Sequence, residues 1–235
     1  MRPKLLEVDN LTKRFRNAGT EHAAADRVSF CIHEGECVGL IGESGCGKST
    51  VANLIAGFLR PDAGTIRFGK KTLKWRGREA RTDRKEMQMV FQNPHLSLDP
   101  RMTIEENLAE AVVYYEKTNR ADLTERIETG LIRLGLPAEY RRKLPGELSG
   151  GECQRAAIAR ALMRSPKLLI CDEVTSALDV SVQAEIMKYL LELKREGLSF
   201  LFITHDLILA AVICDRILVM EEGRIRDTVN PDRMH

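Results

Sequence analysis

The residues best suited to chemistry form one run, residues 42–50, which reads GESGCGKST. A glycine, four residues and then Gly-Lys-Ser is the pattern of a phosphate-binding loop. Its three glycines allow the backbone to curl so that several N–H groups point at one anion. Lys48 would reach the β- and γ-phosphates of a nucleotide, and the Ser49 hydroxyl would bind Mg²⁺. The alternative is a glycine-rich turn that happens to carry a lysine.

The segments on either side of this run favour the phosphate-loop interpretation. Residues 36–41 are short, apolar and bounded by glycine, which predicts a buried strand. Residues 50–56 predict a helix. The glycines therefore fall where a strand turns into a helix, and the helix N-terminus adds partial positive charge at the same place.

Two adjacent carboxylates, Asp172 and Glu173, end an apolar strand predicted over residues 167–172. Ligands of a parallel sheet bind beyond the carboxyl ends of its strands, where the phosphate loop also lies. Asp172 is therefore placed to hold Mg²⁺ through water, opposite Ser49, and Glu173 to polarise a water that attacks the γ-phosphate. A divalent cation would offset the repulsion between the two carboxylates. The alternative is a surface Asp-Glu turn.

Two further polar residues end predicted strands on this side of the sheet. Gln92 follows the strand of residues 87–91, and His205 follows the strand of residues 199–204. At the edge of a phosphate site His205 becomes a candidate sensor of the γ-phosphate. The alternative for an isolated histidine is a structural role.

A second possible anion site lies at residues 148–152, which read LSGGE and begin a predicted helix. Ser149 would cap the helix, and Gly150 and Gly151 would let backbone N–H groups approach an anion. The alternative is a flexible cap. The distance from the phosphate loop suggests contact with a nucleotide held by another subunit.

The remaining pattern predicts an α/β fold with a mainly parallel sheet, because apolar strands alternate with helices. Residues 5–9 and 28–32 are predicted strands joined by a polar, glycine-containing loop. Residues 93–148 show only helical signals, including a capping box at Thr103 and Glu106. The helix that starts there has an apolar stripe at 104, 108, 111 and 115. Asp179 or Ser181 is expected to cap a later helix.

Composition excludes several classes of protein. The 235 residues are 43% hydrophobic and 30% charged, with a net charge of +2 that argues neither for nor against nucleic acid. Apolar runs stay well short of the roughly 18 residues of a membrane span, and the N-terminus lacks a signal-peptide core, so we expect a cytoplasmic location. The six cysteines form no Cys-x-x-Cys pair, which favours reduced, mostly buried thiols over a metal site or disulfides.

One stretch, residues 67–85, is strongly basic and contains Phe68 and Trp75. Such a stretch is typical of a surface that binds nucleic acid or anionic lipid. A solvated hairpin or loop face is the more common explanation, and it is the one we favour.

Together these motifs resemble the ATP-binding subunits of ABC transporters, over nearly the whole chain. The motifs come in that family's order: GESGCGKST, Gln92, LSGGE, KLLICDE, SALD at 176–179, and His205. The resemblance implies a P-loop NTPase core with a mainly parallel sheet, an antiparallel β sub-domain and a helical sub-domain. It implies a single domain over residues 1–235, with the core at about 1–92 and 149–235 and the helical sub-domain at about 93–148.

The resemblance also implies roles for individual residues, with ATP and Mg²⁺ as cofactors. Phe15, otherwise an ordinary strand-end aromatic, matches the residue that stacks on adenine. The residues implied to hold the phosphates are Gly42, Glu43, Ser44, Gly45, Cys46, Gly47, Lys48, Ser49 and Thr50. Gln92 would touch Mg²⁺ or the attacking water, and Asp172 would support the metal. Glu173 would activate water and His205 would contact the γ-phosphate. Ser149, Gly150 and Gly151 would bind the nucleotide of the facing subunit, and Asp179 would link the two sites.

Within that family, FQNPHLSLDPRMTI is similar to the importer branch for peptides and nickel. This implies an ATPase on the cytoplasmic face of the membrane, coupled to uptake of peptides or nickel chelates. The implied partners are transmembrane permease subunits, a second ATPase subunit of the same or a related kind, and, indirectly, a substrate-binding protein. The alternatives are an exporter and a soluble ABC-type ATPase that acts on nucleic acid, although nucleic acid is not expected. The sequence departs from the branch at Glu152, where glutamine is more common, and in ending at His235, where the branch usually continues.

Overall fold

A computed structural model describes residues 2–17, 20–75, 84–94, 97–114, 118–176 and 178–231. The described residues form ten strands, in chain order: β1 (Lys4–Asn17), β2 (Thr20–His33), β3 (Cys37–Ile41), β4 (Ala63–Phe68), β5 (Lys71–Thr72), β6 (Met87–Val90), β7 (Leu168–Asp172), β8 (Ser199–Ile203), β9 (Arg216–Glu221) and β10 (Arg224–Val229). The α-helices are α1 (Lys48–Ala56), α2 (Ile104–Val113), α3 (Arg120–Arg133), α4 (Gly150–Leu162), α5 (Val180–Arg195) and α6 (Leu207–Ile213). Two 3₁₀ helices, Ala138–Arg142 and Pro145–Glu147, precede α4.

The strands form two sheets. An antiparallel sheet has the order β2-β1-β4-β5, and a six-stranded sheet has the order β10-β9-β3-β8-β7-β6. The larger sheet is parallel from β9 to β6, and only β10 pairs antiparallel at its edge. The α/β class, the mainly parallel sheet and the antiparallel β sub-domain are therefore confirmed.

The larger sheet is buried on both faces, which is why its central strands are almost wholly apolar. Alternate residues of β8 face opposite ways. Leu201 and Ile203 join a core shared with α1 and the antiparallel sheet, whereas Phe200 and Phe202 join a core shared with α4, α5 and α6. The candidate site residues follow the carboxyl ends of these buried strands.

The predicted loop between residues 10 and 27 is wrong, because most of it is strand. β1 continues to Asn17 and β2 begins at Thr20, with Phe15 opposite His22. The register shifts between Val8 and Leu11 and again between Leu11 and Arg14. Such bulges interrupt the alternation of apolar and polar residues by which a strand is recognised in a sequence.

The helix signals were more reliable than the strand signals. Thr103 caps α2 in a reciprocal capping box with Glu106, as predicted. The apolar face of α2 is confirmed where the structure describes it: Ile104 and Leu108 are fully buried and Ala111 is partly buried against the same core. Val112 is a further buried position, and residue 115 lies outside the described residues. Between β6 and α4 the described residues form only helices and irregular segments.

The expectations from composition can be compared with the described residues. All six cysteines are free thiols and four of them are buried, as predicted. In the part of the chain that the structure describes, no group of three or more potential ligands is arranged to hold a metal, and no helix has the length and apolar character to cross a bilayer.

The basic stretch begins on a solvated hairpin. Arg67 on β4 pairs with Thr72 on β5, and both residues are exposed. Arg84 stacks on the ring of Trp75, with 4.5 Å between the guanidinium carbon and the ring centroid. Positions 76, 78 and 81 of the stretch, which are also basic, lie outside the described residues.

Candidate functional site

The phosphate-loop motif joins β3 to α1, as the sequence predicts. Gly47 caps α1 in a left-handed conformation, with φ of 110°, and its carbonyl accepts the first helical hydrogen bond from Val51 N at 3.0 Å. Lys48 is buried, and its Nζ donates to the carbonyl oxygens of Gly42 at 2.7 Å and Glu43 at 2.8 Å. The loop therefore wraps around its own ammonium group, which puts a positive charge at the centre of the loop.

Two of the loop glycines are required by close contacts with other strands. A Cβ added at Gly47 would lie 1.9 Å from the carbonyl oxygen of Ala24 on β2, and one at Gly42 would lie 2.2 Å from the carbonyl oxygen of Met220 on β9. Gly45, also left-handed with φ of 82°, has no neighbouring atom within 4 Å of such a Cβ. The loop thus packs closely against one strand of each sheet at Gly42 and Gly47, and it is open around Gly45.

The Asp172 carboxylate lies beside the phosphate loop. Ser49 Oγ donates to Asp172 Oδ1 at 3.1 Å, although 123 residues separate them in the chain. Burial raises the pKa of Asp172, which is only 7% exposed; the hydrogen bond from Ser49 lowers it, and the neighbouring Glu173 raises it. Nearby positive charge favours the ionised carboxylate, and Mg²⁺ takes oxygen ligands, so this hydroxyl and this carboxylate fit a magnesium ion.

Glu173 and His205 meet because β7 and β8 are parallel neighbours. Glu173 has the left-handed φ of 49°, which is rare for a residue with a side chain and is typical of functional sites. Its backbone N–H donates to Ile203 O at 2.9 Å. Glu173 Oε2 then lies 3.6 Å from His205 Nδ1, a contact that becomes an ion pair when the imidazole is protonated.

Gln92 reaches Glu173 through Ser176, for which no separate role was predicted from the sequence. Gln92 Nε2 donates to Ser176 Oγ at 3.0 Å, and Ser176 Oγ donates to the carbonyl oxygen of Glu173, also at 3.0 Å. The sequence signal that could have indicated this contact is the spacing. A serine three residues after the residue that ends a strand favours a turn closed by the serine hydroxyl.

The backbone next to Gln92 is held by another residue that the sequence reasoning missed. Gln154 on α4 is buried, and its Nε2 donates to the carbonyl oxygen of Phe91 at 3.3 Å. A glutamine among the apolar positions of a helix was the available signal, because a buried amide needs a hydrogen-bond partner.

Phe15 lies on β1 near the phosphate loop. It pairs with His22, two residues along β2 from Ala24, whose carbonyl oxygen faces Gly47. The phenyl ring is 39% exposed, and Lys13 Nζ lies 5.6 Å from the ring centroid. The ring is therefore accessible to a base whose phosphates are held by the loop, and adenine stacking stays a prediction.

The Ser-Gly-Gly turn lies apart from the other site residues in this chain. Its helix, α4, packs against β6, which is three strand positions from β3, or roughly 14 Å across the sheet. Ser149 and Gly150 are exposed at the helix start. Gly151 is buried, and a Cβ there would lie 2.3 Å from Val182 Cγ1 on α5. The third position of the turn is therefore fixed by packing, while the first two face outward.

Glu152 completes the cap of this helix. Its carboxylate accepts from Ser149 N at 2.8 Å and from the Tyr140 hydroxyl at 3.2 Å. The hydrogen bond from the Ser149 backbone lowers the pKa of Glu152. The glutamate that departs from the branch pattern thus serves as a capping residue, for which glutamine is an equivalent.

Asp179 begins the helix that packs on Gly151. Its Oδ1 accepts from Val182 N at 3.0 Å and from the Ser181 hydroxyl at 2.6 Å, so Asp179, rather than Ser181, is the cap. Both hydrogen bonds lower the pKa of Asp179. A link from Asp179 to a second site stays a prediction.

A sequence profile described as "ABC transporter" matches residues 25–176, which include the phosphate loop, the Ser-Gly-Gly turn and the Asp172-Glu173 pair. The chain belongs to the ABC transporter family. The resemblance inferred from the order of the motifs is therefore confirmed.

Three curated relatives of this ABC chain are named as transport or import ATP-binding proteins. The oligopeptide transport ATP-binding protein OppF of Salmonella typhimurium is 47% identical over 203 residues, which are 85% of this chain and 61% of OppF. The putative peptide import ATP-binding protein BOV_A0347 of Brucella ovis is 40% identical, over 98% of this chain and 74% of its own length. The glutathione import ATP-binding protein GsiA of Pectobacterium atrosepticum is 40% identical, over 94% of this chain and 37% of GsiA. The chain thus spans about six tenths of the length of OppF.

Solved structures agree with the fold. The ATP-binding cassette MJ0796, in a dimeric post-hydrolysis state with ADP and Pi, superposes with a TM-score of 0.88 at 28% identity, over 97% of this chain and 99% of that one. CbiO1 from Clostridium perfringens, part of the cbiONQ ABC transporter complex, gives a TM-score of 0.85 at 30% identity, over 98% and 90% of the two chains.

Proposed function

We propose that this chain is the ATP-hydrolysing subunit of an ABC importer for peptides. The observation that carries the proposal is the 3.1 Å contact between Ser49 and Asp172, because it joins the phosphate loop to the strand-end carboxylates. An anion-binding loop and a carboxylate pair at one edge of a sheet are the parts that phosphoryl transfer from a nucleotide to water requires.

The chain's own residues divide the work. The loop N–H groups and Lys48 bind the phosphates, and the exposed ring of Phe15 stacks on adenine. Ser49 and Asp172 would hold Mg²⁺, which neutralises charge on the phosphates when bound. Glu173 polarises the attacking water, while His205, 3.6 Å from Glu173, contacts the γ-phosphate.

The outward-facing Ser149 and Gly150 have no phosphate to meet within one chain. We propose that they complete the site of a second ATPase subunit, and that Asp179 links the two sites. Support comes from their exposure, from the roughly 14 Å between β3 and β6, and from the dimeric state described for MJ0796.

The transported substrate is inferred from the relatives. OppF and BOV_A0347 are named for oligopeptide transport and peptide import, which supports peptides over nickel chelates. The proposal places the chain on the cytoplasmic face of the membrane, with transmembrane permease subunits as partners and a substrate-binding protein as an indirect one. The three relatives described above are not named for nickel, export or nucleic acid.

Replacing the proposed water-activating group tests the ATPase. Glu173→Gln keeps the binding groups but removes the basic carboxylate, so ATP should stay bound while hydrolysis falls by about 10²-fold or more. The matched control is Glu125→Gln, on the exposed surface of α3, which should hydrolyse ATP at the wild-type rate. Wild-type turnover by Glu173→Gln would show that another group activates the water.

Uptake by intact cells tests the substrate. Cells that carry Glu173→Gln in place of the natural gene should lose uptake of a labelled oligopeptide and keep uptake of labelled nickel. Unchanged peptide uptake, with or without a loss of nickel uptake, would contradict the peptide assignment and leave the ATPase assignment standing.

A further inference from the structure

We propose that Ser176 is a positioning residue that holds the NH₂ end of the Gln92 side-chain amide, so that the amide oxygen is the end that Gln92 would offer to a metal ion. The inference rests on the proposed function, and it assigns a role to a hydroxyl group that hydrogen-bonds to Gln92 and to the backbone of Glu173. It depends on the direction of two hydrogen bonds, from Gln92 to Ser176 and from Ser176 to Glu173.

A serine hydroxyl has one proton to donate and two lone pairs to accept. Ser176 Oγ donates its proton to the carbonyl oxygen of Glu173 at 3.0 Å. Toward Gln92, 3.0 Å away, the hydroxyl therefore presents a lone pair, and Gln92 meets it with its NH₂ group. A flipped amide would place its carbonyl oxygen against that lone pair, which is repulsive. The hydroxyl thus selects one of the two amide orientations.

The selected orientation matters because the two ends of an amide carry opposite partial charge. With its NH₂ group held by Ser176, the amide oxygen is the end of Gln92 that remains to meet a cation. Magnesium takes oxygen ligands, and a cation is repelled by an N–H donor. Losing the hydroxyl would let the amide rotate and would reverse the charge that Gln92 offers to the metal.

Other hydrogen bonds hold the backbone at both Gln92 and Ser176. On one side, the buried amide of Gln154 fixes the carbonyl oxygen of Phe91, next to Gln92, at 3.3 Å. On the other side, the backbone N–H of Ser176 donates to Glu173 O at 3.1 Å and closes the turn. Removing the hydroxyl therefore leaves the backbone turn closed, and the expected effect is confined to the amide.

Binding of Mn²⁺, a paramagnetic substitute for Mg²⁺, measures the effect without catalysis. Electron paramagnetic resonance titrations would follow free Mn²⁺ in the presence of a nonhydrolysable ATP analogue. Ser176→Ala should weaken Mn²⁺ binding by about 3- to 10-fold, the equivalent of one hydrogen bond. The affinity for the analogue without metal should not change. Ser176→Thr keeps a hydroxyl and should restore Mn²⁺ binding, and Ser176→Cys, a poor acceptor of similar size, should resemble Ser176→Ala.

A double-mutant cycle separates orientation from a general structural effect. Gln92→Glu carries two oxygens, so there is no amide left to orient. Ser176→Ala in the Gln92→Glu background should therefore change Mn²⁺ affinity by less than about 2-fold if the coupling is as described. The matched control is Ser29→Ala, which removes a hydroxyl bonded to Asn10 N in the antiparallel sheet and should leave Mn²⁺ binding unchanged.

Wild-type Mn²⁺ affinity in Ser176→Ala would overturn the inference, and so would an equal loss with and without Gln92→Glu. In both cases the wild-type chain still binds Mn²⁺ with the analogue, so the proposed function survives. A wild-type chain that binds no Mn²⁺ with the analogue would overturn the proposed function and this inference with it.

Discussion

Replacing Gly47 by alanine tests how closely the phosphate loop packs against the antiparallel sheet. The added Cβ would lie 1.9 Å from the carbonyl oxygen of Ala24 and 2.9 Å from Met220 Cε. Backbone carbonyls cannot rotate aside as a side chain can, so β2 has to move away from the loop. Gly45→Ala is the matched control, since it is in the same loop, has a left-handed φ as well, and has open space around the new Cβ.

The two variants share one energetic cost and differ in another. A left-handed conformation costs an alanine roughly 1–2 kcal/mol, and both variants bear this cost. Overpacking adds about 1–3 kcal/mol and applies to Gly47→Ala alone. At about 2–4 °C per kcal/mol for a chain of this size, Gly45→Ala should lower the melting temperature by roughly 2–8 °C. Gly47→Ala should lower it by roughly 2–12 °C more.

Thermal and urea denaturation of the two variants, with nucleotide titrations alongside, measure these costs. Gly47→Ala should also bind an ATP analogue more weakly than Gly45→Ala does, because a displaced β2 would carry with it the paired strand β1, which bears Phe15. Equal free energies of unfolding for the two variants would refute the close approach of Gly47 to β2.

Three further predictions concern the loop and the Ser-Gly-Gly helix. Lys48→Ala removes the ammonium group at the centre of the loop. Because a hydrogen bond to a charged group contributes about 1.5–3 kcal/mol, the affinity for ATP should fall by about 10-fold or more in an equilibrium titration. Unchanged affinity would contradict the phosphate-loop assignment. Glu152 has a pKa below its ordinary value of 4.5, so it stabilises the fold above that pH and loses this contribution as the pH falls through the lowered pKa. Glu152→Gln should keep the cap and give a flatter curve of unfolding free energy between about pH 5 and 3, measured by urea denaturation; an unchanged slope would count against the hydrogen bond from Ser149. Gly151→Ala should destabilise the chain by about 1–3 kcal/mol because its Cβ would lie 2.3 Å from a side chain of α5. Gly150→Ala, whose Cβ meets only an ordinary contact at 3.8 Å, should cost much less, and similar melting temperatures for the two would argue against this packing.

The parts of the site that lie at strand ends could be predicted from the sequence. Parallel strands deliver their carboxyl ends to one edge, so an apolar run that ends in Asp172 and Glu173 had to meet the loop after β3. The same reasoning placed His205 at this edge, whereas its contact with Glu173 depends on β7 and β8 being neighbours, which the sequence alone did not establish. These positions follow from local apolar runs and one topological rule.

The parts that depend on pairing between distant residues could not be predicted. The length of β1 and β2 is set by hydrogen bonds between the two strands, and bulges disrupt the pattern that would announce it. The directions of the hydrogen bonds at Ser176 and Gln154 depend on which groups face them after folding. A sequence records that a serine and a glutamine are present, but not which atom of each is donor.

The contact of Gly47 with Ala24 has a consequence for how a nucleotide would be gripped. Phe15 belongs to the antiparallel sheet and Lys48 to the start of α1, so the two ends of a single bound nucleotide would be held by two parts of the fold that share a core and approach closely at this glycine. A bound nucleotide would then connect the strand that carries Phe15 to the phosphate loop. Substitutions in the β1–β2 hairpin that make no contact with a phosphate should therefore still change the affinity for the triphosphate, because they alter the distance between Phe15 and the phosphate loop.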